Sequence, residues 1–309
     1  MKELLGVFLK GVAMGAANVI PGVSGGTVAF ITGIYERLIN AIKGLDGSAL
    51  KLLFRGRFRE LSAKIDFPFL AALGLGIVLS ILTFAEIFKF LFVHYAVYVW
   101  AFFFGLILAS VFFVGKQVKR WSSLAVVALL IGAGIAIGVA LMKPASENED
   151  VYYLVICGII AMASMIIPGI SGSFVLLLLG NYQLIMIDSV SGLKRADPHA
   201  FAVLLPVGVG AVIGMLALSH FLSWIFRRFH DLAVSLLTGF VAGSLLIIWP
   251  WKTAVTATFE TLSVVKEKVI GYEWFLPSIQ GETFLAIAIL LAGVGMVCVM
   301  EKFGSGKTK

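Results

Sequence analysis

The chain has 309 residues, 60% of them hydrophobic and 13% charged, with a mean hydropathy of +1.04 and a formal net charge of +7. Soluble domains carry about 25% charged residues, so this composition excludes a soluble globular protein and specifies a polytopic membrane protein. The cysteines, Cys157 and Cys298, fall in separate apolar segments without metal-ligand spacing and read as small buried hydrophobes; no metal or other cofactor is implied.

Apolar stretches at 4–20 and 23–42 flank a Pro-Gly break, "NVIPGVSGGT" (18–27). Lys10 interrupts the first stretch, which argues against a cleaved signal peptide. Next, "SALKLLFRGRFREL" (48–61) places Leu50, Leu53, Phe54, Phe58 and Leu61 at helical spacing, with Lys51, Arg55, Arg57 and Arg59 between them. This predicts a basic amphipathic helix on anionic lipids at the cytoplasmic surface, not a nucleic-acid site. Runs at 67–88, 96–114 and 122–142 each have the roughly 20 apolar residues a membrane span needs. The acidic "SENED" (146–150) leads into a second broken pair, 151–167 and 170–188, split at "PGISGS". Three more expected spans follow at 201–224, 232–250 and 283–301, then a tail at 302–309. Trp249, Trp251 and Trp274 flank spans as interface anchors do.

The first break recurs. "GVAMGAANVIPGVSGGTVAFITGIYERL" (11–38) matches "GIIAMASMIIPGISGSFVLLLLGNYQLI" (158–185) at an offset of 147 residues. Further along the offset is 134, pairing Phe67, Gly74, Gly76, Gly105 and Ser110 with Phe201, Gly208, Gly210, Gly239 and Ser244. Residues 1–145 and 151–301 therefore read as two repeats, each a broken pair (4–42 and 151–188) followed by three spans. A pair that returns to its own side leaves three crossings, and an odd number inverts the second repeat. The second arm has only about nine uninterrupted apolar-leaning residues before Glu36 and Arg37, a rise of roughly 13 Å in a ~30 Å hydrocarbon core. The expected fold is thus all-α, with about six full spans and two re-entrant helical hairpins meeting near the midplane. With both termini cytoplasmic, 17 of the 24 Lys and Arg fall inside and "SENED" falls outside, as the positive-inside rule requires.

Irregular backbone at membrane depth is tolerated where it is buried in protein or lines a wet cavity. Pro21 lacks an N–H, and Gly22, Gly25 and Gly26 expose theirs. A half-helix starting near Ser24 has unpartnered N–H groups and a positive dipole end, and Ser24 and Thr27 add hydroxyls. The arrangement reads as an anion cradle, matched by Pro168, Gly169, Ser171, Gly172 and Ser173 from the second repeat. Small residues also let membrane helices pack closely. That is the reading for Gly208, Gly210, Gly214, Gly239 and Gly243, whereas duplication at matching places favours binding for the two motifs. Glu36 and Arg37 stand at the inner mouth, either steering a phosphate or simply interfacial. Glu86 and His220 are equivalent at the offset of 134, each near the end of an apolar span, and are candidates for proton coupling or for interface residues.

"AANVIPGVSGGTVAFITGIYERL", with "PGISGS" in mid-chain, resembles the bacterial polyprenyl-phosphate transporters over nearly the whole chain. The resemblance implies a bacterial inner-membrane protein that moves undecaprenyl phosphate, the lipid carrier of cell-wall sugars, from the outer to the cytoplasmic leaflet for reuse. It transfers no catalytic residue. An intramembrane polyprenyl-diphosphate phosphatase is the enzyme alternative, with a similar P-G-x-S-R-S loop. Here its Arg positions are Gly25 and Gly172, and no Glu-x-x-x-Glu pair occurs in an apolar segment, so the chain lacks the positioned charge that phosphoryl transfer needs. A small-anion channel or exchanger is the other alternative, since some chloride transporters oppose helix ends at similar breaks.

The orientation has a direct test. Cysteines placed in 146–150 or 253–270 are expected to react with an impermeant thiol reagent from outside the cell, and cysteines in 44–64 or 302–309 are not; reversed labelling overturns the assignment.

Overall fold

A computed structural model describes residues 2–19, 24–193, 197–261, 264–278 and 280–305. Helix α1 (Lys2–Val19) runs unbroken through Lys10, whose ammonium donates to the Thr32 carbonyl at 2.7 Å. After the break come α2 (Gly25–Ile31) and α3 (Tyr35–Lys43). Gly33, at φ +69°, separates them, so the arm expected over 23–42 is two short helices. The amphipathic segment is likewise two helices, α4 (Gly47–Phe54) and α5 (Phe58–Lys64), divided at Gly56 with φ +68°. Asp46 caps α4 by accepting from the Ser48 and Ala49 N–H groups, and Lys64 closes on the same carboxylate at 2.6 Å. Lys64 first, then Ser48, hold that carboxyl well below the usual range. Leu50, Leu53, Phe54 and Phe58 stay exposed along this segment.

The next two expected spans form one continuous helical stretch, α6 (Phe67–Gly115), folded at Tyr95 (φ −139°, ψ 34°). Ring centroids of Phe88 and Phe103 lie 6.1 Å apart. Fifteen residues of straight helix would separate them by about 22 Å, so the chain doubles back there. Helix α7 (Ser123–Leu141) is capped by Ser122, and α8 (Val151–Ile166) by Asp150. The second break leads to α9 (Gly172–Leu178), a π-helical turn (Gln183–Ser189) and α10 (Val190–Leu193). Asp197 caps α11 (Pro198–Arg228), which has Pro198 in its first turn. Phe229 (φ −139°, ψ 53°) ends α11 and opens α12 (His230–Ser244). It stands 134 residues after Tyr95, so the same fold-back recurs at the equivalent position.

Five helical stretches among the described residues are long and apolar enough to cross a membrane: Phe67–Phe84, Phe90–Gly115, Ser123–Leu141, Pro198–Arg228 and Gly281–Val299. The sixth expected span, 232–250, is a correction. Its helix, α12, has 15 residues, about 22 Å, and gives way to turns over 245–248. It is also mostly buried, so its apolar run reflects the protein core as much as lipid. The stretch that follows, expected as a loop, is a two-stranded antiparallel hairpin, β1 (Lys252–Thr261) and β2 (Val264–Trp274), with Lys252 opposite Trp274. The Trp274 indole donates to the Leu246 carbonyl at 2.9 Å and the Trp249 indole to that of Phe275 at 3.1 Å, tying the hairpin's base to the turns after α12. Trp251 is buried against Ala101 and Ala286 instead of anchoring at an interface. Helix α13 (Gly281–Ser305) completes the chain. Of the two thiols, Cys157 is buried as expected, but Cys298 is exposed on α13.

Glycines set how closely these helices approach. A Cβ on Gly11 would collide with the Leu73 carbonyl and one on Gly158 with that of Val207; Gly105 and Gly239 stand likewise against the carbonyls of Leu290 and Leu129. Both pairs correspond at the offsets read from the sequence. The last two contacts cross between halves: α13 packs on the second arm of α6, and α12 on α7. Gly210, Gly214 and Gly243 are close contacts as well, but a Cβ on Gly208 meets nothing within 4 Å, so Gly208 is not a packing glycine.

Gly239→Ala and Gly105→Ala are therefore expected to destabilise by about 1–3 kcal/mol through overpacking. Gly208→Ala is expected to stay within about 0.5 kcal/mol of the parent. Thermal unfolding of the purified protein in detergent separates the two classes.

Candidate functional site

The two broken motifs touch. The Gly169 N–H donates to Thr27 Oγ1 at 2.8 Å, Ser24 Oγ donates to the Met165 carbonyl at 3.3 Å, and the Tyr35 hydroxyl donates to the Ile166 carbonyl at 3.0 Å. The last carbonyls of a helix have no partner within it; here two at the end of α8 are satisfied by Ser24 and Tyr35, from the first half of the chain. Gly26 has to be glycine, because a Cβ there would lie 2.8 Å from the Ile166 carbonyl oxygen. Gly169 takes φ +90° and is pressed against the backbone of Phe240 on α12. Pro168 is buried in the turn beside it. Pro21 and Gly22 lie outside the described residues.

The start of α2 is already capped by protein. Ser24, 2% exposed, accepts from the Gly26 N–H at 3.1 Å, and Asn18 Oδ1 accepts from the Gly25 N–H at 2.8 Å. Opposite, Ser171 makes no cap to the backbone of α9; its hydroxyl pairs with that of Ser173 at 2.7 Å. Each half-helix has only seven residues, about two turns, so the aligned peptide dipoles are few. The side chains and the space around them therefore matter more to the site than the macrodipole.

That space is a cleft of about 130 Å³ lined by Met14, Asn18, Gly25, Gly26, Tyr35, Leu38, Ile42, Met165 and Ile166. It holds several water-sized groups. Asn18 and Met165 are equivalent at the offset of 147. Each lies over the glycine that opens its half-helix: a Cβ on Gly25 would meet the Asn18 amide at 2.7 Å, and one on Gly172 would strike the Met165 side chain. The walls are apolar except for the Asn18 amide, the Tyr35 hydroxyl and backbone. Asn18 was legible as an amide in an apolar stretch; Tyr35 and Met165 carried no signal beyond their place in the repeat.

The remaining candidates are placed elsewhere. Arg37 donates to Asp66 at 2.6 Å and to Glu3 at 2.8 Å, with its guanidinium over the Phe69 ring. Glu36 lies 3.3 Å from His230 Nε2. Neither lines the cleft. His220 is exposed on α11, its Nδ1 2.8 Å from the Leu216 carbonyl oxygen. The side chain of Glu86 lies outside the described residues.

A family model described as undecaprenyl phosphate translocase-like matches residues 14–265, a range that contains both motifs and the cleft. The chain belongs to that family. It is 38% identical over 304 residues to a polyprenyl-phosphate transporter of Vibrio cholerae, covering 97% of this chain and 96% of the relative. A polyprenyl-phosphate transporter of Staphylococcus aureus is 30% identical over 277 residues, covering 85% and 92%. No solved structure matches the chain.

Thr27→Val keeps the side-chain shape and leaves the buried Gly169 N–H without an acceptor. Such a group costs about 1–3 kcal/mol, so Thr27→Val is expected to lower unfolding stability by that amount and Thr27→Ser to restore most of it.

Proposed function

We propose that this chain carries a polyprenyl phosphate, undecaprenyl phosphate in particular, from the outer to the cytoplasmic leaflet of the bacterial inner membrane for reuse in envelope synthesis. The observation that carries the reading is the cleft at the junction of the two motifs, in a chain whose relatives are named polyprenyl-phosphate transporters. A charged phosphate is costly to move through hydrocarbon, whereas the isoprenoid tail is not. A cleft of about 130 Å³ suits the headgroup alone, and the tail stays in lipid alongside.

In this reading residues 1–145 and 151–301 are inverted repeats, the two motifs form re-entrant hairpins, and both termini are cytoplasmic. Ser24, Gly25, Gly26 and Thr27, with Gly169, Ser171, Gly172 and Ser173, shape the headgroup site, and Asn18 joins them. The chain acts as a transporter and not as an enzyme: Gly25 and Gly172 stand where a diphosphatase loop carries Arg. The exposed apolar residues of α4 and α5, set among Lys51, Arg55 and Arg59, rest on anionic lipid.

Reconstituted vesicles test this. Protein-containing vesicles are expected to move polyprenyl phosphate between leaflets while leaving the parent alcohol and chloride unmoved. Combining Asn18→Leu with Tyr35→Phe removes the two polar side-chain groups of the cleft wall, each worth about 1.5–3 kcal/mol against a charge, and is expected to slow transport at least about tenfold. Transport of chloride in place of the lipid overturns the reading in favour of an anion channel.

A further inference from the structure

Helix α3 carries a polar face beside the largely apolar one that meets the cleft. Ser223 of α11, 3% exposed, donates to Asn40 Oδ1 at 3.0 Å and accepts from Lys43 Nζ at 3.3 Å. Arg227, one turn further along α11, donates through Nε to the Ser223 carbonyl at 3.2 Å. Asn40, Ser223 and Arg227 share the wall of a cavity of about 20 Å³ with Ile39, Phe226 and Glu36, whose carboxylate is turned to His230. Lys43 directly follows Ile42, which lines the cleft. Being turned about 100° from Ile42 on the helix, Lys43 lies on the α3 face beside the cleft, at the helix's last turn.

Arg37 is matched by Glu3 and Asp66, Lys64 by Asp46, and Arg57 by Glu60. Lys43 and Arg227 have no carboxylate partner among the described residues. Two cations drawn to one buried residue, Lys43 to the Ser223 hydroxyl and Arg227 to the Ser223 carbonyl, with the Asn40 amide fixing that hydroxyl's direction, suit a phosphate monoester. Ammonium and guanidinium groups make charge-assisted hydrogen bonds to its oxygens. The cavity is too small for the whole group, so the phosphate would sit at its rim, between the Lys43 and Arg227 heads.

We propose that Lys43, Arg227 and the Ser223–Asn40 pair form a second phosphate station, which receives the monoester headgroup as it leaves the cleft. The proposal rests on the polyprenyl-phosphate reading and adds to it a site on α3 and α11, built from both repeats. The station makes release stepwise: the headgroup exchanges the neutral donors of the cleft for two charges nearer the water.

Binding to the purified full-length protein in detergent tests this, with farnesyl phosphate, farnesol and inorganic phosphate as probes. Lys43→Gln combined with Arg227→Gln removes both charges; Ser223→Ala is a milder second variant, and Lys51→Gln with Arg55→Gln is a control of equal charge change. The double variant is expected to bind farnesyl phosphate at least about tenfold more weakly, the loss of one or more charge-assisted bonds. Ser223→Ala is expected to weaken it less, and farnesol binding and the control to stay unchanged. Inorganic phosphate is expected to compete with farnesyl phosphate on the parent protein and to lose that competition in the double variant. Farnesyl phosphate affinity within about twofold of the parent in both the double variant and Ser223→Ala overturns the station. Dependence on Lys43 and Arg227 for inorganic phosphate alone also overturns it, by assigning the pair to free phosphate. A parent protein that binds farnesol as tightly as farnesyl phosphate overturns the transporter reading itself, and the station with it.

Discussion

Backbone polar groups in a water-poor interior must find partners within the protein, and the rest of this structure is arranged around that requirement. The chain stops its helices at two interior breaks, and each break frees N–H and C=O groups. At the second break these are not left to local solutions. The Met165 and Ile166 carbonyls at the end of α8 accept from Ser24 and Tyr35, and the Gly169 N–H donates to Thr27. The second break is thus completed by side chains from the first half of the chain, about 140 positions away in sequence, while the first break's Gly25 and Gly26 N–H groups are met locally by Asn18 and Ser24. The motifs have to meet, and the cleft is the space left beside their junction.

Close approach of the surrounding helices follows from a second constraint. Lipid offers no hydrophobic drive for apolar helices to associate, so packing contacts and small residues do that work. Gly11, Gly105, Gly158 and Gly239 each bring a neighbouring carbonyl to a distance that no side chain would allow. Because the α13 and α12 contacts cross between halves, the two halves of the chain are interleaved and not docked side by side. The buried cluster reflects this, drawing on Phe30 and Tyr35 of the first break, Phe103 and Ile107 of α6, Phe226 of α11 and Leu237 of α12.

Within this near symmetry the two halves differ where it matters to the cleft. Asn18 faces Gly25 as Met165 faces Gly172, an amide in one case and a thioether in the other. Leu38 and Ile42 line the cleft from a regular helix. Their equivalents Ile185 and Ser189 fall in the π-helical turn and are only 2% and 3% exposed. On that side the 145–150 segment is held down: Asn181 takes both the N–H and the carbonyl of Asn148, and the Ala145 N–H donates to the Leu178 carbonyl at 2.7 Å. The cleft is accordingly lined by α3 and not by its counterpart.

Hydropathy alone determined that this is a helical membrane chain, and self-similarity at offsets of 147 and 134 determined which residues are equivalent. Both are local or pairwise properties of sequence, as are the capping residues Asp46, Ser122, Asp150 and Asp197 and the two Pro-Gly breaks. Periodicity could not show that the 232–250 run is a short buried helix followed by turns, because apolar residues suit a protein core and lipid alike. Nor could it locate the splits at Gly33, Gly56 and Gly180, since a glycine in an apolar run reads as packing until its φ is known. The sequence placed Ser24, Thr27 and Gly169 in one site through duplication. It paired Arg37 with nothing, and only the fold brought Glu3 and Asp66 to that guanidinium. The partners of Ser24, Thr27 and Tyr35 were likewise decided by tertiary structure, because a hydrogen bond across some 140 residues leaves no periodic trace in the chain that makes it.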